Sequence, residues 1–96
     1  MSDPEITTEI EGSKGRYVLK KSGEEAEMTF SILSPSMRIV DHTGVPDSLR
    51  GSGAGRALAE HLVADARTNG FKIVPLCPFV NAERRKHPEW ADVFSV

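Results

Sequence analysis

Apolar and polar residues alternate through the first third of the chain with the two-residue period of half-buried strands. Glu25–Leu33 is the clearest case. Ala26, Met28, Phe30 and Ile32 share one face, while Glu25, Glu27, Thr29 and Ser31 share the other. Ile6–Glu11 alternates more weakly, Arg16–Lys21 carries Tyr17, Val18 and Leu19, and Met37–Thr43 centres on Ile39 and Val40. Turn residues separate these runs: Gly12-Ser13-Lys14-Gly15, Ser22-Gly23-Glu24 and Ser34-Pro35-Ser36. The pattern predicts three or four antiparallel strands in a meander.

After Gly44 the period changes. Val45–Leu49 reads as a loop, because Pro46 disfavours helix at Val45 and has no N–H for a ladder. From about Gly53, Leu58, Leu62 and Ala66 recur at four-residue steps and predict a helix closed by Asn69-Gly70. Phe71–Leu76 is a short strand, Asn81–His87 a short helix stopped by Pro88, and Pro88–Phe94 a last turn or helix with Trp90 packed on the sheet. Strand, glycine loop, helix and strand make a βαβ unit, so the fourth and fifth strands should run parallel. The expected class is α+β: a mixed, mostly antiparallel sheet with helices packed on it.

Composition narrows the function. Ninety-six residues allow one domain, 1–96. Twelve Lys and Arg against fourteen Asp and Glu give a net charge of −2, which argues against a nucleic-acid partner. A single cysteine excludes an internal disulfide framework and a multi-cysteine zinc site, and no metal site is expected. No apolar run approaches the roughly 18–20 residues that span a bilayer, and the start of the chain lacks a basic and apolar leader. A cytoplasmic protein without a membrane partner is the expectation. The charge is uneven, however. Residues 1–49 carry five basic and nine acidic groups, residues 50–96 seven basic and five acidic, so an anionic ligand is better suited to the second half.

The chemistry concentrates in Arg50-Gly51-Ser52-Gly53-Ala54-Gly55, between a strand and a helix. Glycines there let backbone N–H groups approach a ligand, and the unpaired N–H groups and dipole of the helix head add positive potential. Together these can cradle a diphosphate, with Arg50 and Arg56 flanking it. A flexible hinge is the other reading of the same glycines. Two nucleotide motifs fail: Arg56-Ala57 stands where a P-loop needs Lys-Ser/Thr, and Arg56 and Leu58 break the Rossmann fingerprint in either register.

The loop resembles the Q/R-x-x-G-x-G/A pyrophosphate loop of the GNAT superfamily of N-acetyltransferases, at the position where that superfamily has it. Ile39–Pro46 before it, and Leu76-Cys77-Pro78-Phe79-Val80 and His87-Pro88-Glu89-Trp90 after the helix, are similar to the small one-domain, YjdJ-like branch. The resemblance covers about residues 16–94. It implies acetyl-coenzyme A bound where strands four and five splay apart. The backbone of Arg50 through Gly55 would hold the pyrophosphate, Arg56 would lie beside it, and Thr43 and Val45 would offer main-chain groups to the pantetheine arm. The acceptor would be a small-molecule or protein amine, and the protein a monomer or weak dimer.

Acetyl transfer needs a proton acceptor for the amine and a fate for the departing thiolate. Cys77, at the mouth of the fifth strand, is a candidate nucleophile or proton donor, and direct attack by the amine is the simpler route; a small buried hydrophobe is the alternative. His42 is a candidate base, with a structural histidine as the alternative. Strand alternation puts Asp41 and His42 on opposite faces. Many relatives have an acidic residue after the threonine, giving H-T-E-V, whereas this chain has Gly44. Catalysis without that carboxylate falls to His42 or water, or the protein is a coenzyme A-binding module with little turnover. Arg84 and Arg85, in the run with Lys86, are candidate contacts for coenzyme A phosphates or a solvated face.

Overall fold

In a computed structural model that describes residues 5–96, the meander is β1 (Glu5–Glu11), β2 (Lys14–Lys21), β3 (Glu24–Ser34) and β4 (Met37–Gly44). The leader reading of the N-terminus falls partly on residues 1–4, outside the described residues. A 3-10 turn at Asp47–Leu49 leads to α1 (Ala54–Asn69), then β5 (Lys72–Pro75), α2 (Pro78–Lys86) and a 3-10 segment at Pro88–Val93. The sheet order is β1-β2-β3-β4-β5, antiparallel except for the parallel β4–β5 pair. The α+β class and the parallel pair are as the sequence pattern predicts.

One face of the sheet buries Tyr17, Leu19, Ala26, Met28, Phe30 and Val40 against Leu58, Leu62 and Ala66 of α1. A polar lock fixes that helix across the sheet. The Tyr17 hydroxyl donates to Asp65 Oδ2 at 2.6 Å, and Arg38 Nη1 reaches the same carboxylate oxygen at 3.3 Å. The Arg38 guanidinium lies over the rings of Phe30 and Phe71, 4.8 and 4.1 Å from their centroids. Burial, reinforced by the Asp65 carboxylate, pushes the Tyr17 phenol far above the ordinary tyrosine range. The lock ties the C-terminal half of α1 to β2 and β4.

Two departures from simple alternation shape the functional end. Phe30 pairs with Val40 but Thr29 pairs with His42, so Asp41 is an extra residue in a β-bulge. Its Oδ1 accepts a hydrogen bond from Thr29 Oγ1 at 2.5 Å. Plain alternation would give His42 the core face of Val40. The bulge instead turns His42 outward with Thr29 and turns Thr43 inward with Met28. The second departure is at β5. Its pairing with β4 stops at Val40↔Pro75, shorter than the apolar run Phe71–Leu76 implied. Beyond that the Cys77 N–H donates to Val40 O at 2.9 Å, and the strands part.

The chain then enters α2 at Pro78, three residues before the helix start expected from the sequence. Proline suits the first helical position, where its missing N–H would have no partner anyway. Trp90 is buried as expected, stacked on His87 with centroids 4.0 Å apart.

Candidate active site

The gap opened by the diverging strands is a cleft of about 590 Å³, walled by the glycine loop and head of α1 on one side and by α2 on the other. Gly51 and Gly53 line it with φ of 80° and 86°, in the left-handed region that glycine adopts without strain. A Cβ on either would meet nothing within 4 Å. Conformation therefore explains glycine there; packing does not. Gly53 is the N-cap of α1, with no side-chain cap and no acidic residue in the first turn. The first N–H groups of α1 are thus left for a partner from outside.

Eight of the eleven residues expected to bind the cofactor line this cleft: Thr43, Val45, Arg50, Gly51, Gly53, Ala54, Gly55 and Arg56. Ser52 does not; its hydroxyl is occupied by Leu49 O at 2.5 Å. Arg84 and Arg85 do not line it either. Arg84 Nε donates to Asn81 Oδ1 at 2.8 Å, and Arg85 is exposed. From the same run it is Lys86 that faces the cleft, together with Phe79, Glu83 and His87. The signal for this was present in the sequence. A helix begun at Pro78 puts Phe79, Glu83 and Lys86 at i, i+4 and i+7, on one face. Gly55 completes the contact between the walls: a Cβ there would lie 2.8 Å from Phe79 Cζ.

Cys77 is buried, caps α2, and has its Sγ 3.3 Å from Thr43 Oγ1. The bulge makes that contact by turning Thr43 inward. Thr43 lines the cleft, so the thiol sits directly behind its wall, at the point of splay. His42 lies on the opposite face of β4. Its Nε2 would be 3.2 Å from a Cβ at position 44, so the imidazole lies along the strand end, in space that Gly44 leaves free. Glu27, paired with Gly44, brings a carboxylate to the same place, its Oε2 3.9 Å from that Cβ position, while Arg16 Nη1 donates to its other oxygen at 2.9 Å. The two candidate catalytic groups thus flank the end of β4 from opposite sides, and the structure does not bring them into contact.

Among the described residues, no group of three or more His, Cys, Asp or Glu side chains is arranged to hold a metal ion. No helix among them is long and apolar enough to cross a membrane.

A mostly antiparallel sheet whose single parallel pair splays at a glycine loop and helix head is the architecture of the acetyltransferase-like α+β folds. Residues 16–93 match the family model for GCN5-related N-acetyltransferases. The fold is also similar to the solution structure of a GCN5-like protein from Staphylococcus aureus. The TM-score is 0.69 at 32% identity, covering 99% of this chain and 91% of that one. No protein of curated function matches the chain. The chain belongs to the GCN5-related N-acetyltransferase family.

Proposed function

We propose that the protein transfers an acetyl group from acetyl-coenzyme A to an amine, by direct attack of the amine on the thioester. The observation that carries this reading is the pair Gly51 and Gly53, left-handed and open to the cleft, at an uncapped helix head. A cradle that any Cβ would begin to fill, beside Arg50 and Arg56, suits a diphosphate, and coenzyme A contains one. When bound, acetyl-coenzyme A supplies the activated acyl group.

The chain's own residues have the following parts in this reading. The loop backbone and the first N–H groups of α1 hold the diphosphate, with Arg50 and Arg56 beside it. Thr43 and Val45, beyond the last β4–β5 pairing, have backbone groups free for an extended, amide-containing arm. Cys77 hands a proton to the departing thiolate, with Thr43 Oγ1 as its hydrogen-bonding neighbour. His42 takes the proton of the amine from the far side of the strand end. The acceptor is a small-molecule or protein amine, and the protein works in the cytoplasm as a monomer or weak dimer.

A second reading, a coenzyme A-binding module with little turnover, is favoured by one observation: His42 and the cleft lie on opposite faces of β4. Two measurements separate the readings. Calorimetric titration with coenzyme A, with Gly53→Glu as the blocked control, tests binding; no heat from the parent protein at millimolar ligand ends both. Acetylation across a panel of amines tests turnover, and tight binding with no acetylated amine leaves only the second.

A further inference from the structure

Glu83 is the one charged residue buried among the described residues, and it lies in the wall of a cleft suited to an anion. Burying a carboxylate in such a place is unfavourable unless it is paired. Its partner is Lys86, one helical turn on, whose Nζ is 3.2 Å from Glu83 Oε2. Both groups face the same cleft.

Every Arg and Lys lining this cleft has an acidic partner, but the three pairs differ in exposure. Arg50 reaches Asp47 at 3.2 Å, with the two side chains 74% and 93% exposed. Arg56 reaches Glu60 at 3.8 Å, with exposures of 62% and 55%. Both ends of each pair are solvent-exposed, and such pairs hold a side chain weakly. In the third pair the Lys86 side chain is 69% exposed but the Glu83 side chain only 8%. Glu83 has already lost its rotamer freedom to packing, so only Lys86 remains to be ordered.

We infer that Lys86, tethered by the buried Glu83 carboxylate, is the fixed ammonium that receives a phosphate group of the ligand on the α2 wall, and that Glu83 is its positioning residue. This rests on the coenzyme A reading and deepens it. The phosphate contact considered for Arg84 and Arg85 belongs to Lys86, because the helix begins at Pro78 and turns those arginines away. Glu83 does not touch the ligand. It holds one end of the largely solvated Lys86 side chain against the wall.

The sign of one substitution separates positioning from mere proximity. If Glu83 were only a negative charge near an anion, Glu83→Gln would tighten binding of every phosphate ligand. If it positions Lys86, the same change loosens binding, and only while Lys86 is present. The experiment is calorimetric titration of the full chain with coenzyme A and with inorganic pyrophosphate at low salt. The variants are Lys86→Met, Lys86→Arg, Arg84→Met, Arg85→Met, Glu83→Gln and the Glu83→Gln/Lys86→Met pair.

For Lys86→Met the expected result is a loss of about five- to twentyfold in coenzyme A affinity, the scale of one partly exposed charge-assisted contact. Lys86→Arg restores most of it, and the two arginine variants change affinity less than about twofold. Glu83→Gln weakens binding about three- to tenfold, and this effect vanishes in the Lys86→Met background. Tighter binding by Glu83→Gln, or equal effects of Lys86→Met and Arg85→Met, overturns the inference and leaves the coenzyme A reading standing. Failure of the parent protein to bind either ligand overturns both. Should Glu83→Gln not fold, the exposed Lys86 and arginine variants decide the matter alone.

Discussion

Gly53 and Gly12 both have left-handed φ but in very different places, and that contrast isolates what the cleft glycines do. Gly53 has φ of 86° at the head of α1, and Gly12 has φ of 63° in the β1–β2 turn. A Cβ at either meets no atom within 4 Å. Alanine is therefore strained but not crowded at both. A left-handed alanine costs about 1–2 kcal/mol, offset by about 0.4–1 kcal/mol from the stiffer unfolded chain. The net loss is about 0.5–1 kcal/mol for each variant, or roughly 3–6 °C in melting temperature for a domain of this size. Calorimetry and thermal melts of Gly53→Ala and Gly12→Ala should give matching stability losses.

Binding should divide them. At Gly53 the new methyl stands in the open cleft, where the loop amides would meet a diphosphate. Displacing one charge-assisted backbone contact, worth about 1.5–3 kcal/mol, weakens coenzyme A binding by roughly ten- to 150-fold. Gly12→Ala, remote from the cleft, should bind as the parent does. Unchanged coenzyme A affinity in Gly53→Ala, measured with both variants fully folded, would refute the assignment of these glycines to ligand approach. A loss shared equally by Gly12→Ala would refute it too, because strain alone would then account for the effect.

Three further outcomes are expected. Tyr17→Phe removes the hydroxyl from Asp65, costing about 1.5–2 kcal/mol because Arg38 and Asn69 still reach the carboxylate. The folded-state phenol titrates above its ordinary value of 10.0, so its contribution is intact below that pH and is lost above it, at about 1.4 kcal/mol per pH unit. Denaturant melts from pH 9 to 11 should show a shallower alkaline decline in Tyr17→Phe, and identical slopes would sink the buried-phenol account. Cys77→Ala should lower acetyl transfer more than coenzyme A affinity, and mass spectrometry should find no acetylated Cys77 peptide in the parent; equal transfer by the variant returns Cys77 to a packing role. His42→Gln should reduce transfer by about 10²–10⁴-fold with coenzyme A affinity unchanged, and undiminished transfer would assign the proton to solvent.

The elements were legible wherever hydrophobic periodicity ran long enough to mark a face. β3 shows its period of two over Glu25–Leu33, α1 its four-residue steps from Leu58 to Ala66, and the βαβ order then implies the parallel pair. The glycine loop was legible for another reason: its residue types state a backbone requirement, and Gly51 and Gly53 indeed have positive φ. Two features were not. The bulge at Asp41 inserts one residue into β4 without disturbing its composition, so nothing in Ile39–Thr43 signals that His42 faces outward and Thr43 inward. Yet that one residue decides which side chain meets Cys77. The start of α2 at Pro78 rather than Asn81 was the other, since Pro78-Phe79-Val80 carries no helical period of its own and only the proline at the first helical position marks it.

Both misses have a common root. Sequence periodicity reports which residues are buried within an element, but the cleft forms where two elements stop pairing, and termination is set by tertiary geometry. β5 pairs with β4 only as far as Pro75, and everything beyond it owes its place to where that pairing ends: Cys77 behind the wall, and Phe79, Glu83 and Lys86 along α2. In a chain of this size the same short segments close the core and line the cleft. A residue such as Glu83, unfavourable by the logic of burial, therefore marks the cleft side of that division.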